Sequence, residues 1–265
     1  IANRISFHYH LHGPSVVVDT ACSSSLVAVD VACSYVRGRT SDVGLTGGVT
    51  AILKPSIFIY MSKSGFLSPS GRCKTHDASA DGYVRAEGAG TAVLKLHDSN
   101  YDDSIVAKIV NTGVNCDGHT QGGITQPSVV AQKLLMQAVC QGGAVNPVDF
   151  PHVEAHGTGT PLGDPIELGA FAAFYTRHVD QKSEQCREAT SSLRIGSIKS
   201  CIGHMEAVAG IVGLIKAAHT MRCSVLWPNQ HLRAHNPDAD FLQGKLVSVL
   251  EHSLLGAEGC KPHLA

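Results

Sequence analysis

The apolar and polar positions of the chain divide it into short buried runs separated by turns. Residues 15–18, Ser-Val-Val-Val, form a β-branched run after Gly13-Pro14 and predict a buried strand. Asp19-Thr20-Ala21-Cys22 turns out of it. From Ser23 to Arg37 the apolar residues Leu26, Val29, Cys33 and Val36 recur at helical spacing, and Gly38 is placed to end that helix. Residues 43–49 predict a second buried strand, dotted with glycine. A strand–helix–strand order of this kind normally gives parallel pairing.

The middle of the chain is less regular. Residues 54–89 carry Gly, Pro, Ser and Asp at turn positions, which predicts a long excursion with short helices. Residues 91–96 and 105–114 read as strands. Residues 128–141 read as a helix capped by Ser128 and ended by Gly142-Gly143. A second strand–helix–strand unit follows. Residues 152–155 form a brief strand leading into His156-Gly157-Thr158-Gly159-Thr160. In Asp164-Pro165-Ile166-Glu167 the aspartate is placed to cap a helix, proline fits its first position, and glutamate is placed to close a capping box. That helix runs to about His178. Residues 180–192 form a loop, 193–198 a strand and 205–221 a helix of small residues.

The two halves share a layout: a buried strand, a tight polar turn with a reactive side chain, then a helix. This predicts an α/β protein with mixed sheets between helices, divided as 1–140 and 141–265. Sites in such folds gather beyond the carboxyl ends of strands.

Composition narrows the function classes. The 265 residues are 43% hydrophobic and 16% charged, with a formal net charge of −1. Nothing here favours nucleic acid or an acidic membrane as partner. The longest apolar stretch, residues 207–218, is broken by Gly210, Gly213 and Lys216 and is too short for a membrane span. The opening Ile-Ala-Asn-Arg shows no secretory pattern and no start methionine, and suggests a piece of something longer. Nine scattered cysteines without knuckle spacing point to a reducing, cytoplasmic compartment. The chain holds fifteen histidines, of which His8, His10 and His12 alternate and would share one face of a strand. With no carboxylate or cysteine beside them, a polar strip is favoured over a metal site, and no bound metal is expected.

Three elements carry candidate chemistry. In Thr20-Ala21-Cys22-Ser23-Ser24-Ser25, the cysteine stands between a strand and the first turn of a helix, where free N–H groups and the helix dipole favour a thiolate. Position alone does not separate a nucleophile from a structural thiol. In Glu154-Ala155-His156-Gly157-Thr158-Gly159-Thr160, a histidine at a strand end precedes glycines that allow a ligand to lie against the backbone. The absence of Gly-Lys-Ser/Thr argues against a nucleotide loop. In Gly196-Ser197-Ile198-Lys199-Ser200-Cys201-Ile202-Gly203-His204, a second histidine stands at a helix entry, five residues after Lys199.

Taken together, Asp-Thr-Ala-Cys-Ser-Ser-Ser, Glu-Ala-His-Gly-Thr-Gly-Thr-Pro-Leu-Gly-Asp-Pro and Gly-Ser-Ile-Lys-Ser-Cys-Ile-Gly-His resemble the ketosynthase domain of type I polyketide synthases, in the thiolase-like condensing-enzyme superfamily. Further matches are Ala2-Asn3-Arg4-Ile5-Ser6, residues 67–74 and residues 80–88. The resemblance implies a thiolase-like layered α/β sandwich. It implies that Cys22 takes an acyl group from a phosphopantetheine thioester. His156 and His204 would then drive decarboxylation of a malonyl-type extender, and the resulting enolate would attack the acyl group. Lys199 would support the histidines, Thr158 and Thr160 would contact the phosphopantetheine arm, and Asp164 would belong to the same network or serve as a plain helix cap. No cofactor would be bound directly. Phosphopantetheine would arrive on an acyl carrier protein, and the assembly would be a homodimer.

Departures from the family pattern matter as well. The family's domain begins upstream of Asn3 and ends in a Gly-Phe-Gly-Gly-Thr-Asn loop, and neither part is found, residues 246–249 fitting the approach to that region. The isolated stretch is therefore expected to be weakly active or inactive. His76 stands where phenylalanine is common, and Cys201 where asparagine is usual. The rival readings are an animal-type fatty acid synthase ketosynthase and a non-catalytic fragment kept for dimer or carrier binding. The intact Cys22, His156 and His204 argue against the second.

Overall fold

Burial of one helical stripe organises the part of the chain around Cys22. A computed structural model describes residues 1–97, 105–180, 192–239, 241 and 245–255. The chain divides into two units. The first comprises Ile1–Ile52, Ala86–Ile105 and Met205–Val212; the second comprises Leu53–Arg85, Val106–His204 and Gly213–Ala265.

In the first unit, helix α1 (Ala2–His8) precedes an extended segment, a one-turn 3₁₀ helix at Ala21–Ser23 and helix α2 (Ser24–Arg37). The predicted stripe is present: Val29, Cys33 and Val36 are buried, while Leu26 is exposed. Strand β1 (Val43–Thr50) pairs antiparallel with β2 (Gly88–Lys95), from Val43 opposite Lys95 to Thr50 opposite Gly88. The expected parallel partner, residues 15–18, enters no ladder among the described residues, and Val16 and Val17 are exposed. A β-branched run favours an extended backbone, but only a neighbouring edge makes it a strand. The alternation of His8, His10 and His12 likewise falls outside any strand: His8 ends α1 and His10 turns with φ of 54°. One glycine of β1 has a packing reason. A Cβ on Gly48 would lie 3.0 Å from the Ala207 carbonyl and 3.2 Å from Ser25 Cβ.

In the second unit, β3 (His152–Glu154), β4 (Leu193–Gly196) and β6 (Leu246–Ser248) form a parallel sheet in the order β3-β4-β6. Helix α5 (Gly163–Asp180) connects β3 to β4, as the strand–helix–strand reading predicts. Its buried Leu168 and Tyr175, seven residues apart, pack with Ala155, Leu193, Ile195, Phe241 and Leu246 into one core. Helix α4 (Val129–Gly142) lies against α5, and Ser128 Oγ caps it by accepting the Ala131 N–H at 3.2 Å.

The long excursion contains α3 (Pro55–Lys63), as the turn-rich composition suggests. Residues 105–114 form no strand. The segment is instead tied to α4 by side-chain amides: Asn111 Nδ2 donates to the Val139 carbonyl and Asn115 Nδ2 to the Ala131 carbonyl, each at 2.8 Å. A four-residue helix, α6 (Lys199–Ile202), follows β4. Helix α7 (Ala209–Cys223) follows a 3₁₀ turn, and short strands β5 (Val225–Leu226) and β7 (Ser253–Leu254) pair antiparallel. The predicted loop at 180–192 and the terminal residues 259–265 lie almost wholly outside the described residues. No described helix is long and apolar enough to cross a membrane.

Candidate active site

Cys22 lies in the 3₁₀ turn that leads directly into α2 and is partly exposed. The turn begins with Ala21 in the left-handed region, φ 55°, a conformation that costs a non-glycine residue about 1–3 kcal/mol unless its surroundings enforce it. Here they do. The Thr20 N–H donates to Ser24 Oγ at 2.9 Å, Ser24 Oγ donates to the Ala21 carbonyl at 2.7 Å, and the Ala21 N–H donates to Asp19 Oδ1 at 3.2 Å. One residue further, buried Ser25 accepts the Ile211 N–H at 3.0 Å. The serine-rich sequence around Cys22 is thus a set of local clamps. It fixes a thiol at the positive end of a 14-residue helix.

The second unit gathers His156, His204 and Lys199. His156 follows β3, and His204 follows the Gly203 turn after α6. Their rings are 5.4 Å apart between centroids and nearly perpendicular, at 89°. The His204 N–H donates to the Val84 carbonyl at 2.8 Å, and its ring meets Tyr83 edge-on at 4.9 Å. Lys199 is 4% exposed, and its Nζ donates to the His156 carbonyl at 2.6 Å. From the other side Glu167 accepts two backbone donors, the His156 N–H at 2.6 Å and the Gly157 N–H at 2.8 Å. The backbone of His156 is therefore held at both its N–H and its carbonyl by oppositely charged side chains.

The glycines of this loop serve the protein rather than open space. A Cβ on Gly159 (φ 78°) would lie 2.6 Å from the Lys74 backbone nitrogen, and one on Gly157 would lie 2.7 Å from Ser197 Cβ. The Thr158 and Thr160 hydroxyls lie 3.1 Å apart, and Thr160 Oγ1 accepts the Gly163 N–H. Asp164 is not a simple cap. Its carboxylate accepts N–H groups from His76 at 2.8 Å, Gly159 at 3.0 Å and Thr160 at 3.4 Å, so it ties two loops to the start of α5.

Electrostatics keep the two histidines neutral. His156 is an exposed residue, yet desolvation, then the Lys199 charge and then His204, hold its pKa well below the usual imidazole value. Burial, followed by Lys199 and Arg85, lowers His204 to about 3. Burial pushes the carboxyls of Asp164, to about 6, and of Glu167 upward, and the backbone bonds each accepts oppose that shift. Each neutral imidazole offers one N–H donor and one acceptor. Two such donors beside one another suit an oxygen that gains negative charge.

Residues 1–100 match the model of the β-ketoacyl synthase N-terminal domain, and residues 106–233 match that of the β-ketoacyl synthase C-terminal domain. The chain belongs to the β-ketoacyl synthase family. It is 43% identical over 251 residues to a phenolphthiocerol/phthiocerol polyketide synthase of Mycobacterium tuberculosis, covering 94% of this chain and 13% of that protein. It is 42% identical over 248 residues to the hybrid PKS-NRPS synthetase pytA of Aspergillus terreus, covering 93% of this chain and 36% of that protein. The ketosynthase from module 6 of the bacillaene synthase of Bacillus subtilis superposes with a TM-score of 0.89 at 38% identity. That match covers 96% of this chain and 44% of the other. The fold is therefore thiolase-like. These relatives are polyketide synthases, not animal fatty acid synthases, and this chain spans less than half the length of each.

Glu167 is the ketosynthase residue that sequence reasoning misplaced. Its position three residues after Asp164 suggested a reciprocal cap. The helix instead begins at Gly163, which turns the Glu167 carboxylate toward the backbone of the His156 loop. Its one sequence signal is that a first-turn carboxylate follows a histidine–glycine loop within eleven residues.

His76, where the family commonly has phenylalanine, is fully buried in this ketosynthase. Its Nδ1 lies 3.5 Å from Ser248 Oγ, and its Nε2 has no hydrogen-bond partner among the described residues. Burial, then the nearby His235, lowers its pKa to about 3. The folded state thus binds fewer protons than the unfolded chain below pH 6.5, so stability present above that pH is lost as pH falls toward 3. Between pH 6.5 and 5 this residue alone is expected to remove about 2 kcal/mol. His156 and His204 act in the same direction, while Asp164 and Glu167 oppose them, and comparison with His76→Phe isolates the one residue. Urea denaturation at pH 7 and pH 5 is expected to show a smaller loss for His76→Phe than for wild type. Equal losses would rule this out.

Proposed function

We propose that this chain carries the condensing step of polyketide elongation, a decarboxylative Claisen condensation on carrier-bound thioesters. Cys22 Sγ attacks the carbonyl of an acyl thioester and releases the carrier thiol. A malonyl-type thioester then loses CO₂, and the electron pair of the broken bond becomes an enolate. The enolate carbon attacks the acyl carbonyl on Cys22, and the Cys22 thiolate leaves. A thiolate suits both ends of this sequence, being a good nucleophile and a good leaving group.

The observation that carries the reading is the close pairing of two histidines. His156 and His204 stand ring to ring, with Lys199 bonded to the His156 carbonyl. In the proposed reaction each donates one N–H to the extender's thioester oxygen as it becomes an enolate oxygen. Thr158 and Thr160 contact the phosphopantetheine arm, and Asp164 and Glu167 hold the loop that bears them. The chain itself binds no cofactor in this scheme. Its partner is an acyl carrier protein, the family resemblance implies a homodimer, and the scattered cysteines favour the cytoplasm.

The test uses the full protein with an acyl thioester and then a malonyl thioester. Intact-mass analysis with peptide mapping is expected to place one acyl group on Cys22, followed by CO₂ release and a β-ketoacyl product. Folded protein whose Cys22 stays unmodified would overturn the reading.

A further inference from the structure

Behind the histidine loop, at the carboxyl end of β3, lies a buried ion pair that the proposed reaction does not use. Glu154 Oε2 is 2.7 Å from Lys216 Nζ of α7, with the side chains only 7% and 6% exposed. The other carboxylate oxygen, Oε1, accepts the Ile198 N–H at 2.6 Å. Next to it, Asn229 Oδ1 accepts the Ser197 N–H at 2.9 Å. Ser197 and Ile198 are the turn between β4 and Lys199. His152 Nε2 is 3.6 Å from Glu154 Oε2, and neither of its ring nitrogens has a hydrogen-bond partner among the described residues, so Lys216 is the close counter-charge.

The connectivity gives this pair a defined effect. Glu154 precedes His156 by two residues in the chain, and its side chain accepts the N–H of Ile198, the residue immediately before Lys199. Lys199 Nζ in turn meets the His156 carbonyl at 2.6 Å. The Glu154 carboxylate is thus one side-chain tie between the His156 and Lys199 segments, beside the Ala155 N–H donated to the Gly196 carbonyl at 2.8 Å and Ser197 Oγ donated to the His156 carbonyl at 3.3 Å. A carboxylate buried this deeply holds its place only with a counter-charge and hydrogen bonds, and Lys216 supplies the charge.

We propose that the Glu154–Lys216 ion pair positions Lys199 against His156 and so governs malonyl decarboxylation while leaving acylation of Cys22 untouched. The inference rests on the condensing reaction proposed above. Glu154 and Lys216 are positioning residues here, acting through Lys199 rather than on substrate.

Separate half-reactions test it in the full protein. Acyl transfer to Cys22 is followed by intact mass, and decarboxylation by CO₂ release from a malonyl thioester. Lys216→Met is expected to slow CO₂ release roughly 100-fold, the scale of a small misplacement in a catalytic site, with acylation within about twofold of wild type. Glu154→Gln combined with Lys216→Met removes both charges but keeps an acceptor for the Ile198 N–H, and is expected to recover most of the lost rate. Glu154→Leu with Lys216→Met removes the acceptor as well and is expected to stay slow. The two double variants also carry the test if Lys216→Met fails to fold. Equal decarboxylation rates in the two double variants, or equal losses in acylation and decarboxylation, would overturn the positioning role. Wild-type protein that fails to acylate Cys22 would instead count against the condensing reaction itself.

Discussion

Cys22→Ala is expected to abolish both acyl loading and chain extension, lowering condensation by at least about 10³-fold. The argument is chemical before it is structural. Without the thiol no covalent acyl intermediate forms, and the enolate has no tethered electrophile to attack. The structural effect should be small, because the turn that holds position 22 is built by its neighbours. Ser24 and Asp19 bond to Thr20 and Ala21 without using the Cys22 side chain. Urea denaturation is therefore expected to show near-wild-type stability, with the acyl mass increment gone. Acylation that persists at another cysteine would refute the assignment of the nucleophile. Cys140 and Cys33 serve as internal controls, since burial raises both of their pKa values and leaves them poor nucleophiles.

His204→Ala is expected to slow CO₂ release from a malonyl thioester by roughly 10²–10³-fold, the usual loss on removing one donor to a developing oxyanion. Acyl loading of Cys22 should change far less. His204 is 1% exposed and packed against Tyr83, so alanine also leaves a cavity, and stability must be separated from chemistry. His204→Gln keeps an N–H donor and much of the volume, and is expected to recover part of the rate. Because burial already holds His204 neutral down to about pH 3, the wild-type decarboxylation rate should show no loss with an apparent pKa near 6.5 that belongs to this residue. Equal rates of CO₂ release in wild type and His204→Ala would remove His204 from the proposed mechanism.

The legibility of the fold followed the range of the interactions involved. Helix α2 and the Ser128 cap of α4 are local, and both appear where their residues predict them. The β3–α5–β4 unit was legible because a strand–helix–strand order itself implies a parallel crossover. Residues 15–18 and 105–114 failed as strands because a β-branched run encodes only an extended backbone. Whether it joins a ladder depends on an edge supplied from elsewhere. The antiparallel partnership of β1 with β2 spans some forty intervening residues, and nothing in either run specifies it.

The candidate site divides in the same way. Cys22, His156, Lys199 and His204 were identifiable by residue type, by their place at turns after strands, and by the motifs around them. Residue order alone was enough to establish the family and the α/β class, and to nominate the reactive groups. How those groups are held and charged emerged only in the folded chain. Folding turned Glu167 from a helix cap into a clamp on the His156 backbone, and Asp164 into a tie between loops. It set the glycines at 157 and 159 against protein backbone and side chains. It placed Glu154 and Lys216, more than sixty residues apart, in one buried ion pair. The physical reason is common to all of these. A motif records which side chains are present, but desolvation and hydrogen-bond partners arise from segments far away in the chain, and these set protonation and position.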